Sequence, residues 1–423
     1  MTDYTRQAGL LTRLDALAPA VGATLDFGDG GPEARSAAVE SVTSDSRQAR
    51  PGDLFAATPG EKAHGAVFAA SAIEAGASAV LTDAKGRDIL RKGLGGRSVP
   101  VLVVDDPRAA VGKAAALILG EPAAGLDTYA VTGTNGKTTT AYMVESILVA
   151  LGRKPGLIGT VEIRLAGMSA PARLTTPMPD ELQSYLAFHR RGGGTDVVME
   201  ASSHALVQGR SDPVAFTVAG FTNLTQDHLD FHGTMEGYYQ AKASLFTPER
   251  ARNAVVSVDG EYGRRLLAEC APRLEGEVAA LAVDSDLPDL PDGAVGWKAV
   301  SRDGSSFVLE STDGRRLATS TSLPGDFNVA NAALAAVMAM TAGHAPEELA
   351  RALPEGINPA VPGRMEVLNA RPRVIVDFAH NTEALVNAMK ALRPSTEGRL
   401  VVLTGSAGDR DKSLGEAHNL ADL

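Results

Sequence analysis

The sequence contains a single cysteine, Cys270, so it has no internal disulfide and no set of thiolates to hold a metal cluster. Packing is the role left to that residue, and a reducing cytoplasm suits it. No run of eighteen apolar residues occurs, and Met1-Thr2-Asp3-Tyr4 lacks the basic-then-apolar layout of a signal peptide. Neither a membrane span nor export is expected, and the protein reads as cytoplasmic. A net basic balance is missing too: the formal charge is −11, which argues against a nucleic-acid partner, because a phosphate backbone needs a basic face. Any anionic ligand must then be held by local cation clusters. Internal repeats are absent, and Gly192-Gly193-Gly194 reads as a short hinge-like loop rather than low complexity.

What is present describes ordinary globular cores. The 423 residues, 44% apolar and 22% charged, suit two or three domains. Strands alternate with helices, which makes the class α/β. Residues 1–107 hold a small unit: a pattern from Val42 to Phe55 around a Ser/Asp/Arg turn, a helix near Ala66–Ala75, and β-like runs at Ala79–Leu81 and Val101–Val104. Asp105-Asp106-Pro107 punctuates it. A helix near Ala109–Leu119 opens a central unit, 108–360, with buried-looking strands at Val197–Met199, Val214–Phe221 and Ala254–Val258. Residues 361–423 read as strand (Arg373–Phe378), helix (Glu383–Leu392) and strand (Leu400–Leu403), the two strands parallel.

The most informative stretch is Gly133-Thr134-Asn135-Gly136-Lys137-Thr138, between the apolar run Tyr129–Val131 and the helical Thr139–Leu151. A glycine-rich turn there lets backbone N–H groups and a helix N-terminus wrap a phosphate chain. The lysine neutralises that chain, and Thr138 can reach a magnesium ion. The usual pattern asks for glycine five residues before Gly136, where this chain has Val131, so the loop is a variant. The plain alternative is a tight turn with a chance lysine.

A second constellation is acidic and histidine-rich. Glu200 follows the strand Val197–Met199 and precedes Ser202-Ser203-His204; Thr222 to Asp230, with Asp227 and His228, follows another apolar strand. Open α/β sheets bind ligands at the carboxyl ends of parallel strands, so both segments should converge on the phosphate loop. Taken singly, Glu200 is equally a helix cap, His228 a polar loop residue, and His204 a locally bonded turn residue. Ser203 beside His204 does not make a hydrolase, since sequence neighbours rarely form a nucleophile–base pair and no nucleophile elbow surrounds them. Lys242 lies on a helix among small alanines, where a lysine is usually solvated along its stem.

Taken together, Gly133–Thr139, Glu200–Arg210, Thr222–Gly233, Tyr239–Phe246, Gly325–Asn331 and Gly363–Glu366 resemble the Mur ligases, in particular the branch that adds the third residue of the peptidoglycan stem peptide. The resemblance implies three domains: a UDP-binding one, a central ATPase, and a C-terminal Rossmann-like domain that closes on the nucleotide. It implies a monomer that acts, with ATP and magnesium, on UDP-N-acetylmuramoyl-L-Ala-D-Glu and either meso-diaminopimelate or L-lysine. By the same resemblance, Ser44, Ser46 and the loop Glu61-Lys62-Ala63 look like uridine-nucleotide contacts. Thr175, Thr176, Ser202, Gln208 and Arg210 look like the cradle for the muramoyl-dipeptide, an arginine suiting its carboxylates. Asn328 and Asn331 look like adenine-side contacts; Arg364 and Asp377 look like phosphate and ribose partners, although Asp377 is equally a helix-capping residue.

The implied reaction makes an acyl phosphate from ATP and the dipeptide's glutamate carboxylate, which an amine then attacks. Lys137 stabilises phosphate charge, Thr138 and Glu200 hold magnesium, and His228 looks like a ligand for a second one. Lys242 resembles the family's carbamylated lysine, which requires burial. Two departures stand out. His380-Asn381-Thr382-Glu383 replaces the usual His-Thr-Pro-Asp, and after Gly408–Lys412 the sequence lacks the family's Asp-Asn-Pro-Arg segment. The third domain thus appears truncated, and the expectation is a chain that keeps UDP-substrate affinity but forms little amide product. Two other readings stay open: a folylpolyglutamate- or cyanophycin-type amide ligase, disfavoured by Thr43–Arg47, and a catalytically silent nucleotide-binding relative.

Overall fold

The computed structural model describes residues 7–28, 36–60, 62–94, 98–303 and 305–404. Its first sheet runs in the order Thr24–Asp26, Val101–Val103, Ala79–Thr82, Asp53–Ala56, Ser41–Thr43, parallel except at the Thr24–Asp26 edge. Successive side chains in a strand point to opposite faces. Leu54, Leu81 and Leu102 therefore pack with Val111 and Ala115 on one face, and Phe55, Val80 and Val101 pack with Ala66, Ala69 and Leu90 on the other. Burial on both faces is what the unbroken apolar runs call for. The helix read near Ala66–Ala75 starts as a 3-10 turn, Gly65–Phe68, capped by His64, whose Nδ1 accepts the Ala66 N–H; α-helix follows only at Ala69–Glu74.

An 11-stranded sheet dominates the centre. Parallel strands Pro155–Ile158, Asp196–Glu200, Asp127–Thr132, Phe216–Phe221, Ala251–Ser257, Val278–Ala282 and Val295–Asp303 lie side by side in that order. Antiparallel strands extend both edges. From Asp127–Thr132 the chain passes outward to Pro155–Ile158, then returns through Asp196–Glu200 and continues on the opposite side at Phe216–Phe221. The strand that feeds the glycine loop is thus the switch point of the sheet, where neighbouring connections leave in opposite directions and open a crevice.

One face of this sheet carries the helices Lys137–Ala150 and Asp326–Thr341, which pack on Tyr129, Val131, Val198, Val218 and Val255. The other face buries Ala130, Val197, Met199, Ala219 and Val256 under Leu182, Leu206, Tyr238 and Leu266. Asp326–Thr341 is buried nearly all round; Ala332, Ala333, Ala335 and Ala336 are fully enclosed.

Beyond residue 360 the described chain forms an antiparallel hairpin, Glu366–Ala370 with Arg373–Val376, and the helix Thr382–Leu392. This corrects two expectations. The strand Arg373–Val376 pairs with a preceding strand that was not anticipated, and Leu400–Leu403 forms no strand. Val401 is 79% and Leu403 100% exposed: an apolar run becomes a strand only when a neighbour's edge pairs its N–H and C=O groups.

Candidate active site

The glycine loop leaves Thr132 and enters the helix Lys137–Ala150 through Gly133 and Gly136, whose φ values, 147° and 90°, favour glycine. Space demands it as well. A Cβ on Gly133 would overlap Thr222 Oγ1, and one on Gly136 would overlap Asn331 Oδ1. Behind the loop, Asn223 O accepts the Thr134 N–H at 2.9 Å, Asn223 Oδ1 accepts the Asn135 N–H at 3.0 Å, and Thr222 Oγ1 donates to Asn135 O at 2.6 Å. Thr134 Oγ1 donates to Thr225 O. This bracing holds the loop open toward the crevice. Gly136, as N-cap, brings no side chain to the helix's first N–H groups, which leaves a helix N-terminus suited to an anion.

Cations gather around it. Lys137 Nζ donates to Gly133 O and Thr134 O, both at 2.9 Å, and Arg364 Nη2 donates to Thr138 Oγ1 at 3.1 Å. Burial lowers the pKa of Lys137 and of Arg364, and Glu200 opposes that in both. Lys242, 1% exposed, donates from Nζ to Gly133 O at 2.7 Å with the Tyr238 ring 4.5 Å away. Its burial, reinforced by Lys137, pushes its pKa well below the ordinary lysine value, which favours the neutral amine. The solvated-lysine alternative does not describe this residue.

Glu200, 1% exposed, ends its strand beside the loop. It accepts from Thr138 Oγ1 at 2.9 Å, from the Thr160 N–H at 2.7 Å and from Thr160 Oγ1 at 3.0 Å. It does not cap a helix; Ser202 does, through the Ala205 N–H. Thr160 Oγ1 in turn lies 3.1 Å from Thr175 Oγ1, and Thr176 Oγ1 donates to Glu200 O at 2.8 Å and accepts the Ser202 N–H at 3.1 Å. Arg210 completes the wall: Nη1 donates to Thr176 O at 2.9 Å, and Nε and Nη2 both reach Gln208 Oε1. Thr175, Thr176, Ser202, Gln208 and Arg210 therefore form one connected network that begins at Glu200.

His228 adopts left-handed backbone (φ 52°) and sits 3.7 Å from Asp227 Oδ2, its ring edge-on to His204 at 5.0 Å. Burial lowers its pKa, against Asp227. For Asp227, burial acts upward, but the hydrogen bond with His380 and the charge of His228 outweigh it and hold the carboxyl at about 2. Asn331 Oδ1 accepts from Thr140 Oγ1 at 3.3 Å, and Asn331 Nδ2 donates to Asn328 Oδ1, so both asparagines stand at the loop's flank. Asp377 accepts the Met365 and Ala379 N–H groups, leaving the cap of Thr382–Leu392 to Asn381.

In the first unit, Ser44 bonds to Asp180 of the helix Pro179–Arg191. Ser46 opens the 3-10 turn Ser46–Gln48 at intermediate exposure, and Lys62 and Ala63 are exposed. Glu61 lies outside the described residues. Sequence reasoning missed Thr160, Asp180, Tyr238 and Asn381. Asn381 Nδ2 donates to Asn135 Oδ1 at 3.2 Å and so carries the third unit to the loop. Its departure from the usual motif was the available signal; nothing in sequence singles out Thr160.

Among the described residues no three His, Cys, Asp or Glu side chains converge to hold a metal ion. Thr138 and Glu200 do supply adjacent hard oxygens, which fits magnesium, an ion that takes one or two protein ligands and fills its shell with phosphate oxygens and water.

A braced glycine loop at a sheet's switch point, ringed by Lys137, Arg364 and the buried amine of Lys242 and joined to a second polar wall, has the build of a phosphate-loop enzyme. Known sequences place it further. Residues 38–118 match the model described as Mur ligase family, catalytic domain, 131–339 the Mur ligase middle domain, and 363–421 the Mur ligase, glutamate ligase domain. A protein of Streptomyces coelicolor named UDP-N-acetylmuramoyl-L-alanyl-D-glutamate–2,6-diaminopimelate ligase is 44% identical over 89% of this chain and 72% of its own length. A solved structure bearing the same enzyme name superposes with a TM-score of 0.73 at 27% identity, covering 97% of this chain and 80% of that one. The fold is shared too with a ligase structure from Thermotoga maritima in complex with ADP, at a TM-score of 0.60 and 19% identity over 90% and 81%. The chain belongs to the Mur ligase family, whose members are ATP-using ligases. Among the described residues no helix is long and apolar enough to cross a membrane.

Proposed function

We propose that the protein adds 2,6-diaminopimelate, the amino acid in its relative's name, to UDP-N-acetylmuramoyl-L-Ala-D-Glu using ATP. One observation carries this reading: the Glu200 carboxylate accepts Thr138 of the phosphate loop on one side and Thr160, bonded to Thr175, on the other. On this reading the phosphoryl donor and the acceptor carboxylate occupy adjoining compartments. Proximity of that kind replaces a bimolecular encounter between two polyanions with an oriented one. The substrate carboxylate oxygen attacks the γ-phosphorus, the bond to ADP breaks, and the resulting acyl phosphate loses phosphate when the amine attacks its carbonyl carbon.

Lys137, the loop N–H groups and Arg364 stabilise charge on the phosphates; Arg210 holds the dipeptide side. Thr138 and Glu200 hold magnesium, which supplies charge neutralisation at the phosphates. His228 would be a ligand for a second ion, and buried Lys242, once carbamylated, would supply an anion to help hold it. Asn328, Asn331 and Asp377 serve the nucleoside, while Ser44, Ser46 and the loop 61–63 serve the uridine half. Three units divide this work, 1–107, 108–360 and 361–423, in a monomer of the cytoplasm. The test is ADP release with UDP-N-acetylmuramoyl-L-Ala-D-Glu, with and without meso-diaminopimelate or L-lysine, before and after chelation of magnesium. Release that needs the muramoyl-dipeptide, peaks with diaminopimelate and stops on chelation supports the reading; release indifferent to the dipeptide refutes it.

A further inference from the structure

Asp180 stands in the first turn of Pro179–Arg191, where an acidic residue ordinarily faces solvent and complements the helix dipole. Here it is 3% exposed. Its carboxylate accepts the Ser44 N–H at 2.8 Å and Ser44 Oγ at 2.9 and 3.1 Å, across 136 positions of sequence. Among the described residues no lysine or arginine pairs with it. A carboxylate taken out of water without a cation depends on the hydrogen bonds it accepts, and these come from the first unit. The surrounding seam is close-packed: Gly112 of the helix Pro107–Ile118 has no room for a Cβ against Pro213 (2.6 Å) and Pro179 (3.2 Å). At the far end of the Asp180 helix, Arg191 Nη1 donates to Ala8 O at 2.7 Å.

The lock reaches the reaction compartment within four residues, because Thr176, bonded to Glu200 O and Arg210, lies just before the helix that carries Asp180 in its first turn. It also changes the chemistry of Ser44. Both donors of Ser44, N–H and O–H, point at Asp180, so the residue presents only lone pairs to a ligand. A phosphate oxygen, itself an acceptor, gains nothing from it while the lock is made.

We propose that Asp180 is a positioning residue that sets the first unit against the central one through Ser44, so that affinity for the uridine-linked substrate depends on Asp180 while affinity for ATP does not. The proposal rests on the functional reading above, since it assigns the first unit to the uridine half. It fits a substrate that spans the seam, held at one end by the first unit and at the other by the Thr176–Arg210 wall.

Three variants, Asp180→Ala, Asp180→Asn and Ser44→Ala, and the double Asp180→Ala/Ser44→Ala test it, with folding checked by circular dichroism. Calorimetry measures UDP-N-acetylmuramoyl-L-Ala-D-Glu and ATP separately, and hydrogen exchange follows residues 41–48 without ligand. Asp180→Ala should weaken the UDP substrate by about tenfold, leave ATP unchanged, and speed exchange at Ser44 by about tenfold. Asp180→Asn, which keeps one acceptor oxygen, should recover part of both effects. The double variant should bind no worse than Asp180→Ala, because the pair acts as a unit. Unchanged UDP-substrate affinity in folded Asp180→Ala, or an equal loss for ATP, overturns the proposal alone. A wild-type protein that binds ATP but not the UDP substrate overturns the functional reading, and this proposal with it.

Discussion

Lys137 and Lys242, from two helices on opposite faces of the sheet, donate to the same acceptor, the carbonyl oxygen of Gly133, at 2.9 and 2.7 Å. Two ammonium groups on one oxygen repel each other, and the more deeply buried of the two yields its proton more readily. On the proposed function the pair separates into roles, with Lys137, at the crevice, serving phosphate and Lys242, enclosed, serving as the amine that takes up carbon dioxide.

Lys137→Ala tests the first role. Turnover should fall by roughly 10³-fold, with acyl phosphate no longer trapped by hydroxylamine and the circular dichroism spectrum unchanged. Near-normal turnover in that variant would show that the loop does not handle phosphate.

The glycine loop and the two strand-end segments were legible because each needs residues that little else needs: Gly133 and Gly136 at positive φ, Lys137 between them and the helix, Glu200 directly after an apolar run. Both faces of the central sheet were legible from runs such as Val197–Met199. What could not be read were relationships of long sequence separation made by ordinary polar residues. Thr160 bonds to Glu200, and Asp180 bonds to Ser44, with no local pattern to announce either. The burial of Lys242 was equally invisible, because alanines on a helix surface and alanines in a core look alike in sequence. At Leu400–Leu403 the failure ran the other way, an apolar run read as a strand without a partner to pair it.

For Lys242 the expected outcome is rescue. Lys242→Ala should lose most activity, and short carboxylates such as formate or acetate should restore part of it by standing in for the carbamate. A variant that is fully active, or a wild-type lysine that mass spectrometry under carbon dioxide trapping finds unmodified, excludes carbamylation.

Arg210 joins Thr176 O to Gln208 through three donors, a fork that an ammonium cannot reproduce. Arg210→Lys should raise KM for the muramoyl-dipeptide by about 10- to 100-fold and leave KM for ATP near its original value. Equal changes in both constants would place Arg210 outside the dipeptide wall.

His189, 2% exposed, accepts the Ala166 N–H at Nδ1 and directs Nε2 at Asp196 O (2.9 Å) and Lys154 O (3.1 Å). Burial lowers its pKa below the ordinary 6.5, against the two carbonyls that favour the charged form. The unfolded chain therefore binds the proton first. Stability from this residue is complete above about 6.5 and is lost as pH falls from there toward the folded pKa. His189→Gln should flatten the fall of Tm between roughly pH 6.5 and 5, measured by scanning calorimetry; an unaltered slope would mean another group sets the acid limit.

The helix Asp326–Thr341 places Asn331 against Gly136, and it does so on a bed of alanine methyls at 332, 333, 335 and 336 with no exposure at all. Methyl groups are the shortest spacers a chiral residue offers, and interiors this dense transmit the displacement caused by one added methylene. On the proposed reading of this site, the tolerance of the nucleotide pocket is set from behind, by the buried alanines of this helix. Enlarging one of these alanines would press the helix against its packed neighbours and disturb the seat of Asn331 beside Gly136 without a change in any residue of the loop itself.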